Sequence, residues 1–436
     1  VIQEDAVKPE FLVHIGQSKT GTSSIQRVLG GQRAALARLG ICYPTSPGWA
    51  NHGMLPASLV PLSRLGHFNP ALWDGIGAEA RLAQFRRDFA AEMAGLPATT
   101  RLVILSAEQC GGLLGDEEEV ARLRDLLAPY ASRIRVVVYL RRQDQHAASS
   151  YSQSLRVAAI HPPTLPQHGP ERLRHYDYRR LLDRWAKVFG EAAMVVRIFD
   201  RARLVNGDAV DDFLALCAAP LAVPADHPDR QSNLSVTSAG IDLMRAMGER
   251  LKARPEGLTA ASLLWRRFSN AVSDALPGRG WQPHPAEAAA FLARFAESNE
   301  AVRRRWFPDQ PSLFAPILVP PDAPPPPPGP PPIDQAAALE AACQVLEDQL
   351  DAAARQEAEH FVQLGRLHER LGEAGPAANA FRSALRVLPD HPLAHQHLAE
   401  AAIRAGRREA AAPHLAVLRR AHPDHPATRR IEQLLG

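Results

Sequence analysis

Residues 14 to 24 read His-Ile-Gly-Gln-Ser-Lys-Thr-Gly-Thr-Ser-Ser, which gathers Lys19, two glycines and a run of hydroxyl side chains into one short stretch. Ahead of it, the apolar run Phe11-Leu12-Val13 with Ile15 reads as a short buried strand. Behind it, Ile25, Val28, Leu29, Leu36 and Leu39 recur at helical spacing. A small-residue turn between a strand and a helix aims successive backbone N–H groups, and the positive end of the helix, at an anion. Lys19 adds a point charge, and Thr20, Thr22, Ser23 and Ser24 add hydroxyl donors, so the chemistry on offer is phosphate binding. The order of residues narrows this. An ATPase or kinase loop, G-x-x-x-x-G-K-S/T, puts lysine directly after its second glycine. Here Lys19 comes before Gly21 and Thr22 follows it, which disfavours a P-loop nucleotide kinase-like enzyme.

A second segment has a similar build. Ile134–Leu140 is a near-continuous β-branched run, the mark of a central parallel strand. It ends in Arg141-Arg142-Gln143-Asp144, and a helix-like stretch follows through Tyr151. Together the two segments resemble the PAPS-dependent (3′-phosphoadenosine 5′-phosphosulfate) sulfotransferase family, in its bacterial branch. The first is similar to that family's 5′-phosphosulfate loop, Pro-Lys-Ser/Thr-Gly-Thr-Ser/Thr, with Ser18 where many members carry proline. The second is similar to its 3′-phosphate segment, strand-Arg-x7-Ser-Tyr, onto which Arg142 and Ser150 fall. The resemblance implies PAPS as cofactor and PAP as product, bound by Ser18, Lys19, Thr20, Gly21, Thr22, Ser23, Arg142 and Ser150. Arg230, Asn233 and Ser235 are late-loop candidates for further nucleotide contacts. A guanidinium fork suits a 3′-phosphate better than an ammonium does.

Sulfuryl transfer resembles phosphoryl transfer, an in-line displacement with charge growing on the leaving phosphate. Lys19 beside the bridging oxygen would offset that charge, and the scheme requires no metal. The acceptor hydroxyl or amine needs a general base, and two residues compete for that role. Glu108, in Ser106-Ala107-Glu108, resembles the Ser-Ser-Glu segment found after this strand in bacterial members. His52, in Asn51-His52-Gly53, resembles a family histidine facing the acceptor. The bacterial resemblance suggests a carbohydrate or glycolipid acceptor.

The elements that must position these residues are strand-like runs at Phe11–Ile15, Arg101–Ser106, Ile134–Leu140 and Met194–Phe199, separated by helical patterns. Such alternation indicates an α/β fold, a parallel sheet sandwiched by helices, with ligands beyond the strands' carboxyl ends. The resemblance runs from about Lys8 to Pro316 and closes with Asn299–Phe314, while 161–172 and 251–290 read as insertions or lids. The domains expected are a catalytic domain over 8–318, a polyproline linker over 319–332 and a helical domain over 333–436. The linker should form a polyproline II spacer.

The last domain begins with an Ala-rich helix, Ile333–Gln356, striped by Leu339, Val345, Leu346 and Leu350. A repeat of period 34 follows, pairing Leu364 with Leu398, Gly372 with Gly406, Ala377 with Ala411 and Pro389 with Pro423. With Leu364-Gly365, Phe381 and Ala384, this resembles the tetratricopeptide (TPR) pattern. It implies an all-α repeat domain that recruits a protein partner, self-associates or braces its neighbour. His395 and His397 read as surface residues.

At 436 residues, with 46% hydrophobic and 22% charged residues, the chain is ordinary globular protein, and a net charge of +3 gives no case for nucleic acid. No apolar stretch reaches membrane-spanning length, and the polar start VIQEDAVKPE lacks a signal-peptide plan. Four scattered cysteines suit a reducing, cytoplasmic setting. A different class of function, a TPR scaffold whose α/β domain binds a nucleotide without transferring sulfate, fits the same residues.

Overall fold

The computed structural model describes residues 8–65, 77–167, 170–231, 236–252, 263–278, 280–320 and 332–435. The chain divides into two compact units, one comprising Val1–Ser273 and Pro277–Asp334, the other Asp274–Leu276 and Gln335–Gly436. Most of the expected polyproline linker, 321–331, lies outside the described residues.

In the first unit, β1 (Glu10–His14), β2 (Ile41–Cys42), β3 (Leu102–Ser106), β4 (Arg133–Leu140) and β5 (Met194–Ile198) form one parallel sheet in the order β2-β3-β1-β4-β5. The expected α/β class is the class observed. Side chains alternate between the two faces along each strand. Phe11, Val13, Val103, Leu105, Val136 and Val138 point to one face. There they pack with Phe85 and Phe89 of the helix Ala78–Ala94, Leu123 of Glu117–Leu127 and Trp185 of Tyr178–Phe189. Leu12, Ile104, Val137 and Tyr139 point to the other face, onto Ile25, Val28 and Leu29 of α1 (Thr22–Gly31) and Phe213 of Ala209–Leu216. Burial on both faces is why these strands read as unbroken apolar runs.

β1 leads through α1 towards the β2 edge, whereas β4 leads to β5 on the opposite side. The crevice outside the carboxyl ends of β1 and β4 is therefore the topological switch point, where ligands bind in open α/β sheets. The closing segment reaches this corner. Asn299 and Gln143 exchange amide hydrogen bonds of 2.7 and 3.2 Å in the interior, and Leu313 and Phe314 enter the core. Leu165 of the 161–172 stretch packs with Leu173, Phe291 and Phe295.

The second unit is all helical: Gln335–Arg370, Ala374–Val387, Pro392–Arg404, Arg408–Ala421 and Pro426–Leu435. Gly372 and Gly406, one repeat period apart, adopt φ of 77° and 73° at equivalent turns, where a side chain would be strained. The first helix does not stop at Gln356. It continues through Gly365, which stays helical, to Arg370, and ends at the turn that Gly372 makes. Of its expected stripe, Val345 is buried, whereas Leu339 and Leu346 are exposed. His395 is buried and His397 half-buried, rather than on the helix surface. His395 is bonded to His414 and to the Pro389 carbonyl, each at 2.8 Å, and His397 stacks on Phe381. Among the described residues, no helix is long and apolar enough to cross a membrane.

Candidate functional site

The loop between β1 and α1 turns through three left-handed residues, Gly16 (φ 58°), Lys19 (φ 68°) and Gly21 (φ 80°). At the glycines this conformation costs nothing. At Lys19 it costs on the order of 1–2 kcal/mol, the kind of strain that persists where surroundings impose it. A Cβ at Gly16 would sit 2.8 Å from Glu108 Cα, so the loop packs directly on the chain leaving β3. The hydroxyl of Thr20 donates to the Gln17 carbonyl at 2.7 Å and that of Thr22 to the same oxygen at 3.3 Å, which fixes the curvature. The first intrahelical bond of α1 is Ile25 N–H to the Gly21 carbonyl, and the amides ahead of it belong to the open first turn.

That turn faces a cleft of about 540 Å³. Lys19, Gly21, Thr22, Ser23 and Ser24 line one wall, and Arg141, Ser149, Gln153 and Arg156 line another, with Glu108 and Asp208 also at the surface. Arg141 donates to the Lys19 carbonyl at 2.8 Å and lies over the Phe199 ring, while its Nε is buried without a hydrogen-bond partner. Ser149, Gln153 and Arg156 share one face of the helix Gln143–Arg156.

Burial lowers the Lys19 pKa to about 8. Arg156 and Arg141 add to this shift, and Glu108 opposes it. Burial raises the Glu108 pKa, and the Lys19 charge pulls it back.

The expected site residues separate into groups. Lys19, Gly21, Thr22, Ser23 and Glu108 come together in the cleft. Thr20 is fully buried with its hydroxyl turned into the loop. Ser18 points to the opposite flank, where its Oγ and His146 Nε2 are hydrogen-bonded at 3.0 Å. Arg142 is not in the cleft, because its fork grips the buried Asp144 carboxylate at 2.7 and 3.0 Å. Ser150 is turned about 100° around its helix from Ser149. Both fall one register from the residues that line the cleft, Arg141 and Ser149. Arg230 is held by Asp208 and Asp211, and its carbonyl accepts from Ser24 Oγ at 3.0 Å. Asn233 and Ser235 lie outside the described residues.

His52 corrects the expectation of a second candidate base. It is completely buried and stacks on Tyr43. Its Nδ1 accepts the Ser106 N–H at 3.1 Å, which leaves the proton on Nε2 to donate to the Pro44 carbonyl at 3.1 Å. Both ring nitrogens are therefore engaged inside the protein, and burial lowers its pKa to about 3. Its role is to tie the 44–52 loop to β3.

A second, larger cleft of about 1180 Å³ opens on the other side of Glu108, between the outer flank of the loop (Gly16, Gln17, Ser18) and an arginine-lined wall that sequence reasoning did not find. Arg64 and Arg174 come from two separate short turns, and Arg180 and Arg184 lie four residues apart on the helix Tyr178–Phe189. Ser149, Gln153 and Arg156 at helical spacing were likewise a signal open to inspection.

Residues 370–435 match the family model of the tetratricopeptide repeat, and this part of the chain is a TPR region. An uncharacterized protein of Archaeoglobus fulgidus is 28% identical over 193 residues, which are 43% of this chain and 50% of that protein. The chain thus spans about half the length of this curated relative. A crystal structure of a sulfotransferase from Alicyclobacillus acidocaldarius is a structural neighbour, covering 60% of this chain and 100% of its own, at 18% identity and a TM-score of 0.31.

Proposed function

We propose that the first unit transfers the sulfuryl group of PAPS to a hydroxyl or amine of a carbohydrate or glycolipid acceptor, with Glu108 as general base. The observation that carries this reading is the convergence of two half-buried cations from different strand ends, Lys19 after β1 and Arg141 after β4, on one cleft edged by the open turn of α1.

A bisphosphorylated nucleotide suits this donor set. The amides of Thr22–Ser24 and the Ser23 hydroxyl, with Lys19, would hold the 5′-side group, and Arg141 with Ser149 the 3′-phosphate, in place of the Arg142 and Ser150 first expected. The orphaned Nε of Arg141 is consistent with a missing oxyanion partner. When bound, PAPS supplies the activated sulfuryl group. Lys19 would meet the charge that develops on the leaving phosphate, and its partial desolvation would strengthen that contact. Glu108, at the boundary of both clefts, takes the acceptor's proton. The raised pKa of Glu108 suits a base that must accept a proton near neutral pH.

The test is calorimetry with PAP and with ATP–Mg²⁺, followed by labelled-sulfate transfer from PAPS to cell-envelope glycans. PAP should bind and ATP–Mg²⁺ should not. Lys19→Ala should remain folded and lower turnover by about 10²–10³. Tight ATP–Mg²⁺ binding without PAP binding would replace this reading with that of a nucleotide kinase. PAP binding with no acceptor ever sulfated would leave a non-transferring scaffold.

A further inference from the structure

We propose, building on the sulfuryl-transfer reading, that His146 is the positioning residue of Lys19: acting through Ser18, it holds the phosphate loop in the left-handed turn that sets the lysine ammonium at the nucleotide cleft before any ligand arrives.

The φ rotation of Lys19 lies between Ser18 ahead of it and the Lys19 carbonyl behind it. Both are fastened to one corner, where β4 passes into the helix Gln143–Arg156. Arg141 donates to the Lys19 carbonyl at 2.8 Å, and His146 Nε2 is hydrogen-bonded to Ser18 Oγ at 3.0 Å. With an anchor on each side, Lys19 keeps a φ of 68°, a conformation that a lysine holds only where its surroundings impose it. Gln17 Nε2 adds a longer tie on the same flank, donating to the His175 carbonyl at 3.3 Å. The Thr20 and Thr22 hydroxyls bond within the loop, so they shape it without attaching it to a neighbour.

The imidazole is itself firmly placed. His146 is 3% exposed and meets the Tyr176 ring edge-on, with centroids 5.0 Å apart, and Tyr176 packs in turn on Phe291 and Phe295. Among the described residues, Nδ1 is buried with no hydrogen-bond partner, which leaves the bond to Ser18 as the ring's one polar contact. Burial lowers the His146 pKa to about 3, and His175, Arg141 and Lys19 add to the shift, so the ring is neutral. A neutral ring with one nitrogen satisfied is a costly way to fill a core. An apolar ring of similar size would pack there without the desolvation penalty. The demand for histidine comes from the loop, where this side chain fastens Ser18.

The effect is readable at Lys19. Its pKa of about 8 reflects burial first, then the nearby Arg156 and Arg141 charges, with Glu108 opposing. A loop released from His146 lets the ammonium swing into water, and its proton affinity returns toward the ordinary value of 10.5.

The experiment uses the full chain labelled with carbon-13 at lysine Cε. Its four lysines, Lys8, Lys19, Lys187 and Lys252, give a spectrum that can be counted, and Lys19→Met identifies the Lys19 signal. Titrated by NMR without ligand, Lys19 should lose its proton at about 8 in the wild type. His146→Phe and Ser18→Ala should each move that value at least halfway back to 10.5. His146→Gln, which keeps a polar group within reach of Ser18, should hold it at about 8. The double variant His146→Phe/Ser18→Ala should match the single variants, because all three break the same path. A histidine with only a structural role would change the melting temperature and leave the Lys19 titration where it was. By calorimetry, PAP should bind His146→Phe and Ser18→Ala about tenfold more weakly, the cost of one left-handed residue read as affinity. A Lys19 titration unmoved in both His146→Phe and Ser18→Ala, PAP affinity unchanged in both, or a shift in His146→Gln as large as in His146→Phe would each overturn the proposal. Should His146→Phe fail to fold, Ser18→Ala carries both readouts alone. If the wild type does not bind PAP, the sulfuryl-transfer reading fails instead, and the lysine titration still decides whether His146 positions Lys19.

Discussion

Lys19 sits between two left-handed glycines, and burial holds its ammonium near a pKa of about 8 instead of 10.5. An unfolded chain keeps this proton to the higher value, so between the two the unfolded state binds more protons and stability rises with pH. Anion binding has the opposite preference, because an oxyanion beside Lys19 favours its charged form. PAP binding at about pH 8.5 should thus take up a fraction of a proton, and at about pH 6.5 none from this group. Calorimetry in buffers of different ionisation enthalpy measures the uptake, and Lys19→Met should abolish it. Uptake that persists in the variant would place the titrating group elsewhere.

The adjacent arginines give a second test. Arg141→Gln should weaken PAP by about tenfold or more, and more than it weakens adenosine 5′-phosphosulfate, which lacks the 3′-phosphate. Arg142→Gln should leave both nearly unchanged, and the reverse ranking would restore the register first expected. The resemblance read from the sequence implied an arginine and a serine eight positions on for this site. It could not choose between Arg141 with Ser149 and Arg142 with Ser150, since both pairs have that spacing. The choice depends on the rotation at the strand end, where Asp144 captures Arg142. The role of His52 was hidden for a similar reason, because its partner Ser106 lies 54 residues away.

Elements were more legible than side-chain roles. Four strands were readable because each is packed on both faces, while β2, only two residues long, carries no period to detect. Helix ends were readable where glycine forces a turn, as at Gly372 and Gly406. The boundary drawn at Gln356 failed because nothing there stops a helix. Inside the first repeat, Gly365 is where the close approach of two helices can be tested. A Cβ there would lie 2.5 Å from the ring of Phe381, which is itself buried. Gly365→Val gains only a few tenths of a kcal/mol in helix propensity. Overpacking costs about 1–3 kcal/mol and should prevail. The expected outcome is early loss of helical circular dichroism on heating, with tryptophan fluorescence unchanged at that step. Wild-type melting would mean that the helix pair can separate at little cost.

All six tryptophans lie between Trp49 and Trp306, so their fluorescence reports on the first unit alone. No residue lining either cleft lies beyond Val210, and apart from Asp274–Leu276 the second unit comprises Gln335–Gly436. Both core faces of the sheet are likewise filled from within the first unit, Leu313 and Phe314 being the last contributors. A chain ending at Leu318 should therefore fold, show the tryptophan melting of the full chain and bind PAP with affinity changed by less than about twofold, well under 1 kcal/mol. What it should lose is a property that the TPR region confers, either turnover on a large or assembled acceptor or a self-associated state in sedimentation. Stacked repeats present extended surfaces suited to recruiting a partner. If the shortened chain is insoluble or no longer binds PAP, the repeats act as a brace for the first unit, and recruitment is not their function. If it binds PAP and also matches the full chain on every acceptor and in oligomeric state, neither role holds. The two assays together thus assign the second unit a function or deny it one.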